Sequence, residues 1–364
     1  MPKKRVFDPV LLGSVVALVI FGVVMVYSSS AVIGLSRYGD PHYFLKRHIF
    51  FAVSGLVLMI LMMRVDYRKL RILTFPLMAG VALMLLLVLF SDLGKEVGGA
   101  RRWLAIGSFS FQPAEFVKLA LALFMGHYIT KKKEVIRDFG DGFMPFAVIT
   151  GLFFVLIFVQ PDLGTAILLV LMSSAMMLVG GVRPFHMIGS ALLMAPFIYL
   201  TVFNVAYRKR RIMAFWDPWS DPQDSGFQII QSLIAFSRGN LLGVGLGEGK
   251  QKLMYLPEPH TDFIFSVAAE ELGLIGTVAV VLTFALFTWR GLRVSLRATD
   301  PYALYLSLSI TLVIAIQVLI NLFVVLGMLP TKGIPLPFVS LGGTSLIVSL
   351  VLTGILLNIS EHTS

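Results

Sequence analysis

Long apolar blocks, separated by short polar breaks, run along most of this chain. A membrane-spanning helix needs about 20 apolar residues. Ten stretches approach that length: 9–30, 46–63, 72–90, 113–130, 143–160, 163–180, 187–204, 263–289, 302–326 and 341–359. They predict an all-α polytopic membrane protein of about ten transmembrane helices. The first stretch does not read as a cleaved signal peptide, because its apolar run is too long and Ser28-Ser29-Ser30 leads into a loop rather than a small-x-small cleavage site. An even number of spans places both termini on one side. Most of the chain lies in the spans, so residues 1–364 read as a single integral membrane domain with one long loop, about 205–262, between the seventh and eighth spans. No internal repeat of fixed period is visible, which argues against an inverted-repeat transporter.

Composition sharpens this picture. Hydrophobic residues make up 57% of the chain and charged residues 14%, with a mean hydropathy of +0.87. An average soluble domain is about half apolar and a quarter charged, so a soluble enzyme, a disordered chain and a fibrous protein are all excluded. With 0 cysteines, disulfides, zinc–thiolate sites, iron–sulfur clusters and cysteine nucleophiles are excluded too. The net charge of +10 points to anionic lipid surfaces or an anionic substrate. Nucleic acid is not expected as a partner, since no long basic run lies outside a membrane-like context.

Basic residues set the orientation. With the N-terminus inside, cytoplasmic segments carry Lys3, Lys4, Arg5, Arg64, Arg68, Lys69, Arg71, Lys131, Lys132, Lys133, Arg137, Arg183, Arg290, Arg293 and Arg297. The short outer segments carry half as many. Both termini are therefore expected in the cytoplasm. The outer loops still hold Lys95, Arg101, Arg102, Arg208-Lys209-Arg210-Arg211, Arg238, Lys250 and Lys252. Each can be an ordinary interfacial snorkel. Taken together they read as a cationic surface for a phosphate-bearing lipid headgroup, which planar guanidinium groups suit.

Charges within spans are expensive and therefore candidates for function. Glu115 and Lys118 open the fourth span three residues apart and share a helix face. They form either a structural ion pair or the lining of a polar cavity. In Gln160-Pro161-Asp162-Leu163-Gly164, Asp162 is placed to cap the next helix near the outer face. Pro257 and Pro259 stiffen the approach to His260, Thr261 and Asp262, which stand just before the eighth span. Thr261 or Asp262 is a candidate helix cap, and Asp262 is the best general-base candidate in the chain. Glu270 and Glu271 lie about two turns into that span and call for a partner, Lys118 or an arginine.

Other signals are weak. Gly243-Val244-Gly245-Leu246-Gly247-Glu248-Gly249-Lys250 fails the phosphate-loop pattern, because Val244 stands where its first glycine belongs and Gln251 where Ser or Thr belongs. It reads as a flexible loop. The six histidines are scattered and no dedicated metal site is predicted. No cofactor is called for, although a divalent cation, Mg or Mn, held between carboxylates and a diphosphate is compatible with these residues.

Several of these segments together resemble the SEDS family (shape, elongation, division and sporulation). They are Pro257-Glu258-Pro259-His260-Thr261-Asp262-Phe263-Ile264-Phe265 with Glu270-Glu271-Leu272-Gly273, Gly99-Ala100-Arg101-Arg102-Trp103, Gln112-Pro113-Ala114-Glu115 and Gln160-Pro161-Asp162-Leu163-Gly164. Gly226-Phe227-Gln228-Ile229-Ile230-Gln231-Ser232 and Pro335-Leu336-Pro337-Phe338-Val339-Ser340 with Gly342-Gly343 complete the set. The likeness spans essentially the whole chain in order. Val24 to Ser30, Gly247 to Lys252 and Leu329 to Gly333 look more like the division branch than the elongation branch. Two positions depart from the family pattern: Leu341 stands for a tyrosine and Ala114 for a serine.

The resemblance implies ten spans in the bacterial cytoplasmic (inner) membrane, at the division septum for a division-type member. It also implies a peptidoglycan glycosyltransferase that polymerises lipid II, the undecaprenyl-diphosphate-linked disaccharide peptide, into glycan strands. The implied partners are a class B penicillin-binding protein transpeptidase and other divisome or elongasome membrane proteins. In this scheme Asp262 deprotonates the acceptor hydroxyl. Substrate is bound by Arg102, Arg101, Glu115, Lys118, Asp162, His260, Glu270 and Ser340, the basic residues holding the diphosphate. The rivals are an elongation-type polymerase, a lipid II flippase and a scaffold that only anchors the transpeptidase. A flippase needs a polar path through both leaflets, whereas Arg102, Glu115, Asp162 and Asp262 all map to the outer half.

Overall fold

A computed structural model of the chain describes residues 7–362 apart from 98, 108, 205, 225, 254, 255 and 332. The basic residues Lys3, Lys4 and Arg5, together with Lys332, lie outside the described residues, as does the side chain of Arg208. The ten apolar stretches fold as α1 (Pro9–Tyr38), α2 (Tyr43–Arg64), α3 (Tyr67–Phe90), α4 (Pro113–Lys132), α5 (Met144–Val159), α6 (Leu163–Gly180), α7 (Pro184–Phe203), α10 (Ile264–Arg297), α11 (Pro301–Val325) and α12 (Gly343–Glu361). Among the described residues, 8 helices are long and apolar enough to cross a membrane. The 20-residue α4 is less apolar, since it carries Glu115, Lys118, Lys131 and Lys132.

The polar breaks supply the helix starts. In Asp8-Pro9 and Asp300-Pro301 the proline has no N–H to satisfy, and the aspartate accepts from the backbone N–H groups just beyond, of Val10 and Leu11 in α1 and Tyr302 in α11. Asp8 also joins the two described ends of the chain. Its N–H donates to Ser360 Oγ at 3.0 Å and its carboxylate pairs with Arg290 at 2.5 Å. The start of α1 and the ends of α10 and α12 therefore share one end of the bundle. In the interior, α11 packs against α4, α6 and α10, and α12 lies along α2.

The opposite end carries structure that the hydropathy pattern did not predict. Segment 91–111 is a three-stranded antiparallel sheet of β1 (Gly94–Val97), β2 (Ala100–Ile106) and β3 (Phe109–Phe111), paired in the order β1-β2-β3. Gly99 and Gly107, with φ of 74° and 60°, make its turns. Successive strand residues point to opposite faces, so Arg101 and Arg102 diverge. The long loop expected at 205–262 contains two helices, α8 (Ala206–Trp216) and α9 (Phe227–Gly239). Both are too short for a span, and in α8 a run of four basic residues interrupts the apolar pattern.

One break interrupts a long helix. Gly273 inside α10 has φ 65° and ψ −163°, which divides the helix into a short first part that follows Asp262 and a long second part. The backbone groups freed there are taken up by the glycine-rich segment after α9. Val244 and Gly245 N–H donate to the carbonyls of Glu270 and Glu271, both at 3.0 Å. Leu274 and Ile275 N–H donate to the carbonyls of Asn240 and Leu241 at 2.9 and 3.2 Å. Residues 240–245, which include the start of the segment expected to be flexible, are thus pinned by four backbone hydrogen bonds.

Gly243 (φ 80°) leaves no room for a side chain, because a Cβ would lie 2.1 Å from the Glu271 carbonyl oxygen. Gly247 (φ 87°) has open space at the same point. Gly243→Ala should therefore destabilise the protein by at least about 2 kcal/mol. Gly247→Ala should lose about 1 kcal/mol, from backbone strain alone. Melting of the detergent-solubilised variants checks the order, and equal melting temperatures would refute it.

Candidate active site

The site is assembled at the end of the bundle that holds the sheet. Asp262 ends the proline-stiffened segment 256–263. The structure corrects the capping expectation: Phe263 is the N-cap residue of α10, and no side chain caps it. Thr261 Oγ1 donates instead to the Glu258 carbonyl at 3.1 Å. The Asp262 carboxylate accepts no hydrogen bond among the described residues, while its backbone is held firmly. Asn321 Nδ2, on α11, donates to the Asp262 carbonyl at 2.9 Å. One residue earlier, Ser340 Oγ donates to the Thr261 carbonyl at 2.6 Å, and Leu341 N–H donates to the His260 carbonyl at 2.9 Å. Gly333 lies flat against the acid, where a Cβ would come within 3.0 Å of Asp262 Oδ2. Two non-glycine residues near it, Glu258 (φ 48°) and Phe338 (φ 64°), hold left-handed backbone, a strain that persists only where surrounding structure enforces it.

A second acid is used quite differently. Asp162 caps α6, accepting from the Thr165 N–H at 3.1 Å and from its hydroxyl at 2.9 Å, and Gln112 Nε2 donates to it at 2.9 Å. The capping role read from the sequence holds. Arg102, on β2, crosses to the same turn and donates to the carbonyls of Gln160 and Pro161. A guanidinium has five N–H donors, so Arg102 is anchored with donors to spare. Arg101 turns the other way, to the carbonyls of Gly94 and Ser91 at 2.9 and 2.7 Å, and braces its own hairpin.

Lys118 and Glu115 pair at 2.5 Å, with Lys118 only 2% exposed. Lys118 Nζ also donates to Gln317 Oε1 at 2.8 Å. The pairing of Glu270 or Glu271 with Lys118 is thus corrected: Lys118 is taken by the acid on its own helix. Glu271 pairs with Lys252 at 2.6 Å and accepts from Ser28 Oγ, while Glu270 accepts from the N–H groups of Lys250 and Gln251, both at 3.0 Å. The other expected partner, an arginine, is present: Arg238 lies 3.9 Å from Glu270. Glu270 is therefore bound up in holding the segment before Asp262 rather than facing the acid. Ser340 likewise has its hydroxyl engaged, donating to Thr261 and accepting from the Leu336 N–H at 2.8 Å. His260 is buried on the Phe44 ring (centroids 4.6 Å apart), with Nε2 3.4 Å from Glu258. From the cationic cluster, Arg211 reaches the Thr331 carbonyl at 3.5 Å.

Electrostatics separates the acids. Burial pushes the Asp262 carboxyl up to about 7; the charges of Glu258 and Asp162 add to this, and those of Arg102 and Arg211 oppose it. Asp162 is also raised by burial, against the pull of Arg102 and its Thr165 hydrogen bonds. Burial holds His260 below its ordinary value, against the opposing charge of Glu258, so it is neutral near pH 7. A carboxyl half-ionised near neutrality and free of partners is suited to accept a proton. Among the described residues no three His, Asp or Glu side chains converge as metal ligands would. Asn321 and Gln317 were not singled out from the sequence, because each acts through partners on separate segments. Lys252 was read as part of a cationic surface, whereas the structure pairs it with Glu271 beside Ser28.

A family model described as "Cell cycle protein", covering FtsW, RodA and SpoVE, matches residues 9–364. A probable peptidoglycan glycosyltransferase FtsW of Geobacter metallireducens is 46% identical over 356 residues, 98% of this chain and 95% of the relative. Stage V sporulation protein E of Bacillus subtilis is 42% identical over 361 residues, 99% of this chain and 98% of the relative. Among solved structures, a chain from a peptidoglycan synthase complex that coordinates polymerization and crosslinking aligns with a TM-score of 0.79 at 29% identity, covering 98% of each chain. The rod shape determining protein RodA of Thermus thermophilus aligns with a TM-score of 0.72 at 26% identity, covering 98% of this chain and 97% of the other.

The raised carboxyl has a consequence for stability. Asp262 binds its proton more tightly in the folded than in the unfolded chain, so stability falls as pH rises from 3.8 to about 7 and is level above that. Asp262→Asn removes this loss. The variant should melt above the parent at about pH 8 and close to it at about pH 4. Parallel melting curves across that range would count against the perturbed carboxyl.

Proposed function

The chain belongs to the FtsW/RodA/SpoVE family of cell cycle proteins, and from that membership we propose that it is a peptidoglycan glycosyltransferase that polymerises lipid II at the outer face of the cytoplasmic membrane. The observation that carries this is Asp262, a carboxylate that accepts no hydrogen bond among the described residues, is held by its backbone and lies within electrostatic reach of the anchored Arg102. Asp262 takes the proton from the acceptor sugar hydroxyl as that oxygen attacks the anomeric carbon of the donor. The bond from that carbon to the lipid diphosphate breaks, and the electron pair leaves with the diphosphate.

Arg102 faces the developing negative charge with the donors its two carbonyl contacts leave free. Arg211, within electrostatic reach of Asp262, contributes from the other side. Asp162 shapes the cavity through its cap and its hold on Gln112. Lys118 and Glu115 brace the site from below, since their mutual contact and Gln317 occupy them. A role in septal synthesis is the division-type assignment, supported by the FtsW relatives. A class B penicillin-binding protein is the partner proposed for crosslinking, supported by the likeness to a chain of a synthase complex.

Purified protein incubated with lipid II tests the proposal. Asp262→Ala should fold and lose about 10²- to 10⁴-fold in polymerisation rate. The parent's rate should rise with pH through about 7 as the base deprotonates. A normal rate in Asp262→Ala would end the assignment.

A further inference from the structure

Two buried amides on α11 stand behind the candidate base. Gln317 and Asn321 are four residues apart and so lie one above the other on a single helix face. Asn321 is 1% exposed and Gln317 2%. The Asn321 Nδ2 group uses both its hydrogens, donating to the Asp262 carbonyl at 2.9 Å and the Ile334 carbonyl at 2.8 Å. Gln317 Nε2 donates to the next carbonyl, of Pro335, at 2.8 Å, while its Oε1 accepts from Lys118 Nζ at 2.8 Å. Successive carbonyls of one loop are thus fixed by successive rungs of one helix. That loop also holds Gly333, the residue that lies against the Asp262 carboxylate.

We infer that Asn321 and Gln317 form an amide ladder that positions Asp262, tying its backbone and the loop beside it to the Lys118–Glu115 pair. Buried amides in membrane proteins commonly join helix to helix. Here the groups they hold are loop carbonyls at the site. Asn321 moreover keeps its Oδ1 buried without a partner. An unsatisfied buried acceptor is unfavourable, and a leucine would avoid it. The retained amide therefore serves its two donors.

The inference rests on the polymerase proposal for its activity readout, and a second readout stands apart from it. The parent, Asp262→Ala, Asn321→Leu and the milder Asn321→Ser are assayed with lipid II. Asn321→Leu should lower kcat by about 10- to 100-fold with KM changed by no more than about twofold, because the residue acts on the base and not on bound substrate. Asn321→Ser, which keeps one donor, should fall between Leu and the parent, and it carries the test should the Leu variant misfold.

The chain's lack of cysteine allows the independent measurement. The thiol of Asp262→Cys should react with a maleimide about threefold faster once Asn321→Leu or Asn321→Ser is added, as its surroundings loosen. A kcat within about twofold of the parent in an active preparation, or an unchanged thiol rate, overturns the ladder. If the parent makes no polymer, the proposed function fails, and the thiol rates still decide the positioning.

Discussion

A polar group removed from water inside a membrane bundle has to find its partner within the protein. That constraint organises this molecule more than apolar packing does. The break at Gly273 would leave backbone carbonyls and N–H groups bare, and the segment 240–245 runs up against it and takes four of them. Glu271 would be an isolated buried charge, so Lys252 and Ser28 close on it. Lys118 would be another, so Glu115 and Gln317 surround it. In each case the partner comes from a connecting segment or a neighbouring helix. Satisfying the buried groups therefore also fixes the outer segments to the bundle.

Against that background the Asp262 carboxylate stands apart from the paired acids. Its chain is held at three successive carbonyls, of His260, Thr261 and Asp262, yet among the described residues its two oxygens accept from no donor. Asp162 shows what an acid in this neighbourhood looks like when it is structural: both its oxygens are used, by Thr165 and Gln112. Two carboxylates in one region with opposite environments take opposite roles, and it is the unsatisfied one whose proton can be exchanged near neutrality. The arginines divide in the same manner. Arg101 and Arg102 are neighbours in sequence, but strand geometry sends the first into its own hairpin and the second toward the α5–α6 turn.

Much of this was legible in the chain itself. Long apolar blocks locate the helices because bilayer thickness and helix rise leave little freedom. Asp162 and the acids before proline announce caps through local chemistry. Asp262 stood out because three polar side chains, His260, Thr261 and Asp262, meet at the head of a span, where a cap needs only one. What stayed hidden was non-local. Lys252 and Glu271 are 19 residues apart, and the helix break just after Glu271 is concealed by one glycine, since glycine is tolerated within a helical pattern. The sheet at 94–111 was hidden because its strands are short and its charges interrupt the alternation of a half-buried strand. Asn321 and Gln317 look like ordinary small-amide positions in an apolar run until the loop they hold is placed on them.

The distribution of polar groups also bears on whether such a bundle polymerises its lipid substrate or merely passes it across. Passage requires groups that can offer hydrogen bonds along the whole depth of the protein. Along α11 and α12, Ser307, Ser309, Thr311 and Thr353 each turn the hydroxyl onto a carbonyl of their own helix four residues back. A hydroxyl spent in this way offers its proton to no substrate. At the far end, the charges of Asp8 and Arg290 are consumed by each other. Among the described residues, a carboxylate that accepts no hydrogen bond and a guanidinium with donors to spare meet around Asp262 and Arg102, at the end that carries the sheet. A base and cationic donors at one face are what bond formation on a lipid-linked sugar requires.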